Sequence, residues 1–219
     1  AFGTWYCAAL GAILPATALA RPPRRRPRIA MISGRFHRCT VGMYFSAWIE
    51  HLSSHGWEVI LVHVGAYRDD WTEHLARCAH GEITLTGAFA DRVRGLRELD
   101  ADLALYPELG MDSSVLGLAA LRLAPMQVCA WGHPSTTGLP TIDAFLSCAD
   151  MEPADAASHY TEPLHLLPGL GTRYPPPHDK PCRQRQWKRL GDAAGLTQFG
   201  VSLYRLAPGV WSSQRHWHS

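Results

Sequence analysis

The chain has 219 residues, 47% of them hydrophobic and 18% charged, the proportions of a globular protein with enough carbon for a sizeable core. A net charge of +2 is too small to argue for nucleic acid, and the basic clusters at 21–28 and 183–189 read as solvated tails or linkers, the first without interleaved aromatic rings for base stacking. The six cysteines are widely spaced and form no C-x-x-C pair, which speaks against zinc ribbons and redox motifs and fits a reducing cytoplasm.

Residues 1–20 carry no charge, and Arg-Pro-Pro-Arg-Arg-Arg-Pro-Arg follows at 21–28. About twenty apolar residues can span a bilayer. Here, however, the basic cluster follows the run, whereas a secretory signal has its charges first, and Pro15 interrupts it. The chain does not open on Met. We therefore expect 1–27 to be a helix that packed on a preceding segment, then a Pro/Arg linker, and no membrane partner.

From residue 28 the rhythm is regular. Residues 28–33 form a short apolar run ending in Ser-Gly, a buried-strand signature. Val41, Phe45, Trp48, Ile49 and Leu52 recur at helical spacing and predict one helix over 41–55, stopped by Gly56. The same reading predicts strands at 58–64, 83–85, 103–106, 126–131, 142–146 and 164–167. It predicts helices at 70–79, 88–99 and 113–123, the last capped by Asp112 or Ser113, and a helix opening at Pro153. Cys129 and Cys148 sit in apolar runs and read as small core residues. Continuous apolar strands alternating with helices imply a doubly wound α/β domain with a mostly parallel sheet, expected over 28–174. Pro175 to Pro177 mark a boundary. Residues 175–219 read as a linker and the incomplete start of a second domain, with one strand within 196–206.

In such a sheet ligands bind beyond the carboxyl ends of the strands. Three loops leave those ends, at 34–42, 107–112 and 132–138. The first leads into a helix N-terminus that favours an anion, but no G-x-G-x-x-G or P-loop pattern occurs. The third is dense in Gly, Pro and hydroxyls, with His133 beside Ser135, Thr136 and Thr137. Glu108 is a candidate general base or sugar-hydroxyl acceptor, or a cap on a neighbouring turn. His133 is the best-placed imidazole. His37 and Arg38 could meet a phosphate or remain solvated. Asp143 reads as satisfying backbone donors, His159 and Tyr160 as a packing edge, and His216-Trp217-His218 as a tail rather than a metal site. No G-x-S-x-G elbow exists, which disfavours a hydrolase.

Several motifs, in order, resemble the O-linked N-acetylglucosamine transferase/SPINDLY family, with a bacterial cast. They are Tyr-Pro-Glu-Leu-Gly-Met-Asp from Tyr106, Leu-Arg-Leu-Ala-Pro-Met-Gln from Leu121, Trp-Gly-His-Pro-Ser-Thr-Thr-Gly-Leu-Pro-Thr-Ile-Asp from Trp131, and Met-Glu-Pro-Ala-Asp-Ala-Ala-Ser-His-Tyr-Thr-Glu from Met151. The resemblance covers residues 28–177. It implies the Rossmann-like N-terminal half of a two-domain GT-B glycosyltransferase, which moves a sugar from a UDP-sugar to a protein Ser or Thr by inversion. The donor is then a substrate, with no cofactor and no metal in the chemistry, and tetratricopeptide repeats commonly precede the catalytic region. Carried over by position, Gly132, His133, Pro134, Thr136, Thr137 and Gly138 would line the donor sugar. Tyr106 and Glu108 would face the same cleft, with His133 and Glu108 as its catalytic pair.

Family members generally carry His where this chain has Cys39, and the eukaryotic enzymes have a second His near Met43. Val201 stands where the family has Gln, and Arg205 where Lys would bind the UDP phosphates; Arg still pairs with phosphate, in a different geometry. The departures leave a second reading beside the enzyme, a non-catalytic module that keeps the fold and binds a partner or nothing.

Overall fold

Strand β1 (Arg28–Ser33) is buried from Ile29 onward, as a strand covered on both faces must be. In the computed structural model, which describes residues 2–15, 24–149, 151–167 and the backbones of 186–189 and 202–205, β1 is the pivot of a seven-stranded sheet. The other strands are β2 (Glu58–Val64), β3 (Gly81–Leu85), β4 (Leu103–Tyr106), β5 (Met126–Ala130), β6 (Ala144–Cys148) and β7 (Leu164–Leu167). Their spatial order is β3-β2-β1-β4-β5-β6-β7, and every adjacent pair is parallel. The order reverses direction at β1 and β4, so the crevice beyond their carboxyl ends is the topological switch point where such sheets bind ligands. The doubly wound α/β fold expected from the sequence is the fold observed.

Side-chain alternation along each strand divides the core into two layers. Ala30, Ile32, Val62, Val64, Ala104, Tyr106, Cys129 and Phe145 point into one. It is covered by α5 (Phe89–Leu99) and α6 (Ser113–Ala119) through Val93, Leu96, Val115 and Leu118. Ile29, Met31, Leu61, Leu105, Val128 and Ala130 point into the other. That layer is covered by α2 (Thr40–Tyr44), α3 (Ser46–Ser54) and α4 (Asp70–Cys78) through Val41, Phe45, Ile49 and Leu75.

The first helix, α1 (Phe2–Ile13), packs on the α/β core of its own chain: Tyr6, Cys7 and Leu10, with Leu14 just beyond the helix, rest against the α5/α6 layer. Gly3 lets it come close, because a Cβ there would lie 1.8 Å from the Gly138 carbonyl oxygen. Among the described residues no helix is long and apolar enough to cross a membrane.

Further boundaries differ from the sequence reading, among them the end of α6, at Ala119 rather than 123. The helix expected over 41–55 is two helices, broken at Phe45 (φ −95°, ψ 1°). The Phe45 ring is fully buried against Trp48 and Trp131, with centroids 5.1 and 5.2 Å away, so aromatic packing outweighs helix continuity. Strand β6 starts at Ala144 rather than 142, because Asp143 accepts from Gln127 N at 2.8 Å and pairs with Arg122 at the strand entrance. The helix expected at Pro153 is a single 3-10 turn, Ala156–His159. Beside it the Tyr160 ring lies tilted against Phe145 at 4.6 Å, and its hydroxyl donates to Glu152 at 2.7 Å. Cys129 is in the core, whereas Cys148 is only half-buried.

The chain divides into two units, Ala1–Pro168 and Gly169–Ser219. In the second, β8 (Gln186–Arg189) and β9 (Ser202–Arg205) pair antiparallel, with Gln186 opposite Arg205. The side chain of Arg205, Val201 and the His216-Trp217-His218 tail lie outside the described residues.

Candidate functional site

Three chain segments meet at the switch point. Strand β1 ends at Ser33 and turns at Gly34, where a Cβ would come within 3.0 Å of the Val64 carbonyl. Strand β4 ends at Tyr106, and Pro107 and Glu108 follow. Strand β5 ends at Ala130, and Gly132 N donates to the Pro107 carbonyl at 2.9 Å, extending the β4–β5 ladder by one rung. Only glycine fits at 132, since a Cβ would lie 2.5 Å from that same oxygen and 3.1 Å from the Glu108 Cβ.

Glu108 forms the floor of this junction. It is 1% exposed, and Ser33 Oγ lies 2.9 Å from both of its carboxylate oxygens. Ser33 Oγ in turn accepts from Arg35 N at 2.9 Å. Burial pushes the Glu108 carboxyl up to about 7 from 4.5, and Asp112 adds to the rise, while the Ser33 hydroxyl and the Arg35 charge oppose it. A carboxyl poised there exchanges a proton near neutral pH. Expected as a cleft-facing base, it is instead a sealed group beneath the loops.

His133 lies above the floor, half-buried, with its ring over Gly110. A Cβ on Gly110 would meet His133 Cδ2 at 2.9 Å and Nε2 at 3.1 Å, and Gly110 also has φ +106°. The imidazole is therefore seated by a backbone that no L side chain adopts comfortably. Asp112 fixes the other end of this loop by capping α6, accepting from Ser114 N at 2.7 Å and Val115 N at 3.1 Å. Pro134 and Ser135 are exposed beside His133.

Thr136, Thr137 and Gly138 do not join this group. Strands β5 and β6 are parallel, yet no helix connects them, so residues 131–143 must return the chain along the sheet to the start of β6. A helix would satisfy its own backbone donors; this loop needs an outside acceptor. Glu162 supplies it. Its carboxylate accepts from Thr136 Oγ1 at 2.7 Å, from Thr137 N and Gly138 N at 3.0 Å each, and from Thr137 Oγ1. Burial raises the Glu162 carboxyl, but the hydrogen bonds from Thr137, Thr136 and Thr161 outweigh it and hold the group below its ordinary value. The hydroxyls expected to line a sugar are engaged in holding the crossover.

Two more expected site residues turn elsewhere. Tyr106 does not face the cleft: it is 0% exposed and belongs to the α5/α6 layer, because alternation on β4 sends it inward. Its hydroxyl has no hydrogen-bond partner among the described residues, and burial raises its pKa far above the usual phenol range. Arg38 points to the first turn of α4, where its side chain pairs with Asp70 at 2.5 Å and lies over the Trp71 ring at 5.7 Å. Its backbone N–H donates to Asp69 at 2.8 Å. His37 stacks edge-on against Tyr67 at 4.8 Å. Burial lowers its pKa, with Asp69 opposing and Arg35 assisting.

Arg35 is the cation the sequence reading passed over. It lies one residue past Gly34, acts on both Glu108 and His37, and its buried Nε has no hydrogen-bond partner among the described residues. Its position directly after the Ser-Gly strand end was the available signal. Cys39 sits at the N-cap of α2 without a side-chain cap bond and donates its thiol to the Arg35 carbonyl at 3.4 Å.

No protein-family model matches the chain. Curated relatives do. A protein from Solanum lycopersicum described as probable UDP-N-acetylglucosamine–peptide N-acetylglucosaminyltransferase SPINDLY is 44% identical over 81 residues, 37% of this chain and 9% of that protein. The Eustoma exaltatum subsp. russellianum protein of the same description is 36% identical over 81 residues, with the same coverage. Among solved structures, a mutant O-GlcNAc transferase from Thermobaculum terrenum matches with a TM-score of 0.61 and 27% identity over 74% of this chain and 32% of that one. Over the matched region the chain is similar to the O-linked N-acetylglucosamine transferase/SPINDLY glycosyltransferases. The matches span less than a tenth of the length of the curated SPINDLY relatives and about a third of the solved transferase, so the family's likeness here is that of one region.

Proposed function

We propose that this chain supplies the acceptor-side, Rossmann-like half of a GT-B protein O-glycosyltransferase that uses a UDP-sugar, with N-acetylglucosamine as the sugar named in its relatives. The observation that carries the reading is the junction of Gly34, Glu108 and His133 at the β1/β4 switch point, in a chain related to these transferases. In transfer with inversion, the acceptor hydroxyl attacks the anomeric carbon, the bond to the UDP oxygen breaks, and the hydroxyl proton must leave. His133, half-buried over Gly110, is the imidazole at the cleft surface and the group we assign to the sugar, with Gly132, Pro134 and Ser135 beside it. Glu108 acts beneath it as a positioning residue that holds a proton and ties β1 to β4 through Ser33. Arg35 is the cation nearest this floor and a better-placed anion partner than Arg38. Residues 175–219 would open the UDP-binding domain, with Arg205 at its phosphates, and UDP would leave carrying the negative charge.

Calorimetric titration of UDP and UDP-N-acetylglucosamine into the full chain tests this, with His133→Ala as the comparison. Saturable binding that weakens about tenfold in the variant, about 1.4 kcal/mol, supports it; heats equal to dilution for a folded protein refute it. The second reading, a fold without turnover, draws on Cys39 at the N-cap, on Arg38 paired with Asp70 and on the loop hydroxyls taken by Glu162. Sugar binding with no transfer to a Ser- or Thr-containing peptide, when the UDP-binding half is supplied, would favour it.

A further inference from the structure

A second cluster of ligand-type side chains lies on the outer helices, apart from the cleft. His74 and Cys78 are four residues apart on α4 and so share one face. Glu50 is presented by α3, which packs beside α4. One ligand atom from each of the three lies within 4.8 Å of the other two, and His74 Nε2 is 3.5 Å from Glu50 Oε1. We propose that Glu50, His74 and Cys78 form a binding site for a zinc-class divalent cation that clamps α3 to α4.

The donor set chooses the ion. One imidazole nitrogen, one thiolate and one carboxylate suit zinc and its neighbours, whereas calcium and magnesium need oxygen ligands. Zinc holds such atoms about 2.0–2.3 Å away in a tetrahedron, which puts neighbouring ligand atoms about 3–4 Å apart. The observed spacing, within 4.8 Å, exceeds that by about 1 Å, a gap that rotation of these side chains would have to close. Three protein ligands leave the fourth position to water, the arrangement of an open zinc site. The Trp71 ring lies 4.8 Å from the His74 ring at a 32° tilt, and its Nε1 donates to the Gly42 carbonyl at 3.2 Å, which restricts the imidazole from behind.

The consequence reaches the cleft indirectly. The first turn of α4 holds the 35–42 loop through Asp69 and Arg38 N and through Trp71, and that loop carries Arg35. Metal at the far end of α4 would brace the helix pair that carries this loop. The site itself contains no cleft residue and does not depend on the glycosyltransferase reading.

Cobalt(II) titration of the full chain, kept reduced, is the test, followed by zinc displacement. The expected result is one equivalent of cobalt with a thiolate-to-metal charge-transfer band and tetrahedral visible bands, both removed by zinc. Cys78→Ser should abolish the charge-transfer band, and His74→Ala or Glu50→Gln should weaken binding about tenfold or more. Glu50 is exposed, so Glu50→Gln keeps the test open should a change on α4 impair folding. Zinc should also raise the thermal midpoint of the native protein and leave that of Cys78→Ser unmoved. Absence of a charge-transfer band in the native protein, or a band that survives Cys78→Ser, would overturn the site.

Discussion

Two buried glutamates bound the 131–143 crossover, and they are opposites. Glu108 sits under its start with one hydroxyl partner, Ser33, and burial dominates: the carboxyl is pushed up to about 7. Glu162 sits along its course with two backbone N–H groups and two hydroxyls converging on it. There the donors win and the carboxylate is held ionised. Deeper burial with one hydroxyl donor thus favours the protonated form at Glu108, while shallower burial with several donors favours the anion at Glu162. Near Glu108 the side chains of His133 and Ser135 have no hydrogen-bond partner among the described residues, while near Glu162 the hydroxyls of Thr136 and Thr137 are engaged.

The largest test of this contrast is Glu162→Ala. It strands Thr137 N and Gly138 N in a crossover with no helix, and we expect a loss of about 4 kcal/mol in denaturant unfolding. A loss below about 1 kcal/mol would mean that Glu162 behaves as an exposed carboxylate. Glu108 predicts the reverse pH behaviour. Its folded pKa lies above its unfolded one, so the native state binds the extra proton between pH 4.5 and about 7. The stability it contributes is therefore fully present below pH 4.5 and is lost as pH rises through about 7, by about 3 kcal/mol. Glu108→Gln should flatten that part of the stability–pH curve. Glu162, with its depressed pKa, loses its contribution instead as pH falls below 4.5.

Gly110→Ala sharpens the comparison on the cleft side. The side chain would meet the His133 ring at 2.9 Å in a backbone at φ +106°, so we expect about 2 kcal/mol of destabilisation, measured by thermal unfolding. Sugar affinity should fall with the displaced imidazole. The smallest effect belongs to Arg38→Ala. The Arg38–Asp70 pair is exposed on both sides, so stability should change by under about 0.5 kcal/mol, and nucleotide affinity by less than it does on removing Arg35.

The sheet was legible because parallel strands buried on both faces leave apolar runs such as Ile-Ala-Met-Ile and Val-Ile-Leu-Val, each closed by a polar or glycine turn. The break at Phe45 was not, since Phe45, Trp48 and Ile49 keep perfect helical spacing and only the contact with Trp131, more than eighty residues on, interrupts it. For the candidate site, the rule that ligands gather at strand ends pointed to Glu108 and His133, and the structure brings both to the switch point. It could not separate Ser135 from Thr136 and Thr137, which are chemically equivalent in a string of hydroxyls. Glu162 decides between them, and it reaches Thr136 from 26 residues away. Arg38 was legible only as a basic side chain at a helix entrance; its pairing with Asp70 depends on α4, which starts 32 residues later.

The central claim is that ligand meets the part of the crossover near Glu108 and not the part held by Glu162. Backbone amide chemical-shift mapping with UDP-N-acetylglucosamine tests it most directly. We predict saturable shifts at Gly110, Gly132, His133 and Ser135, with Thr137 and Gly138 unmoved. Shifts centred on Thr136 to Gly138, or none that saturate, would contradict it.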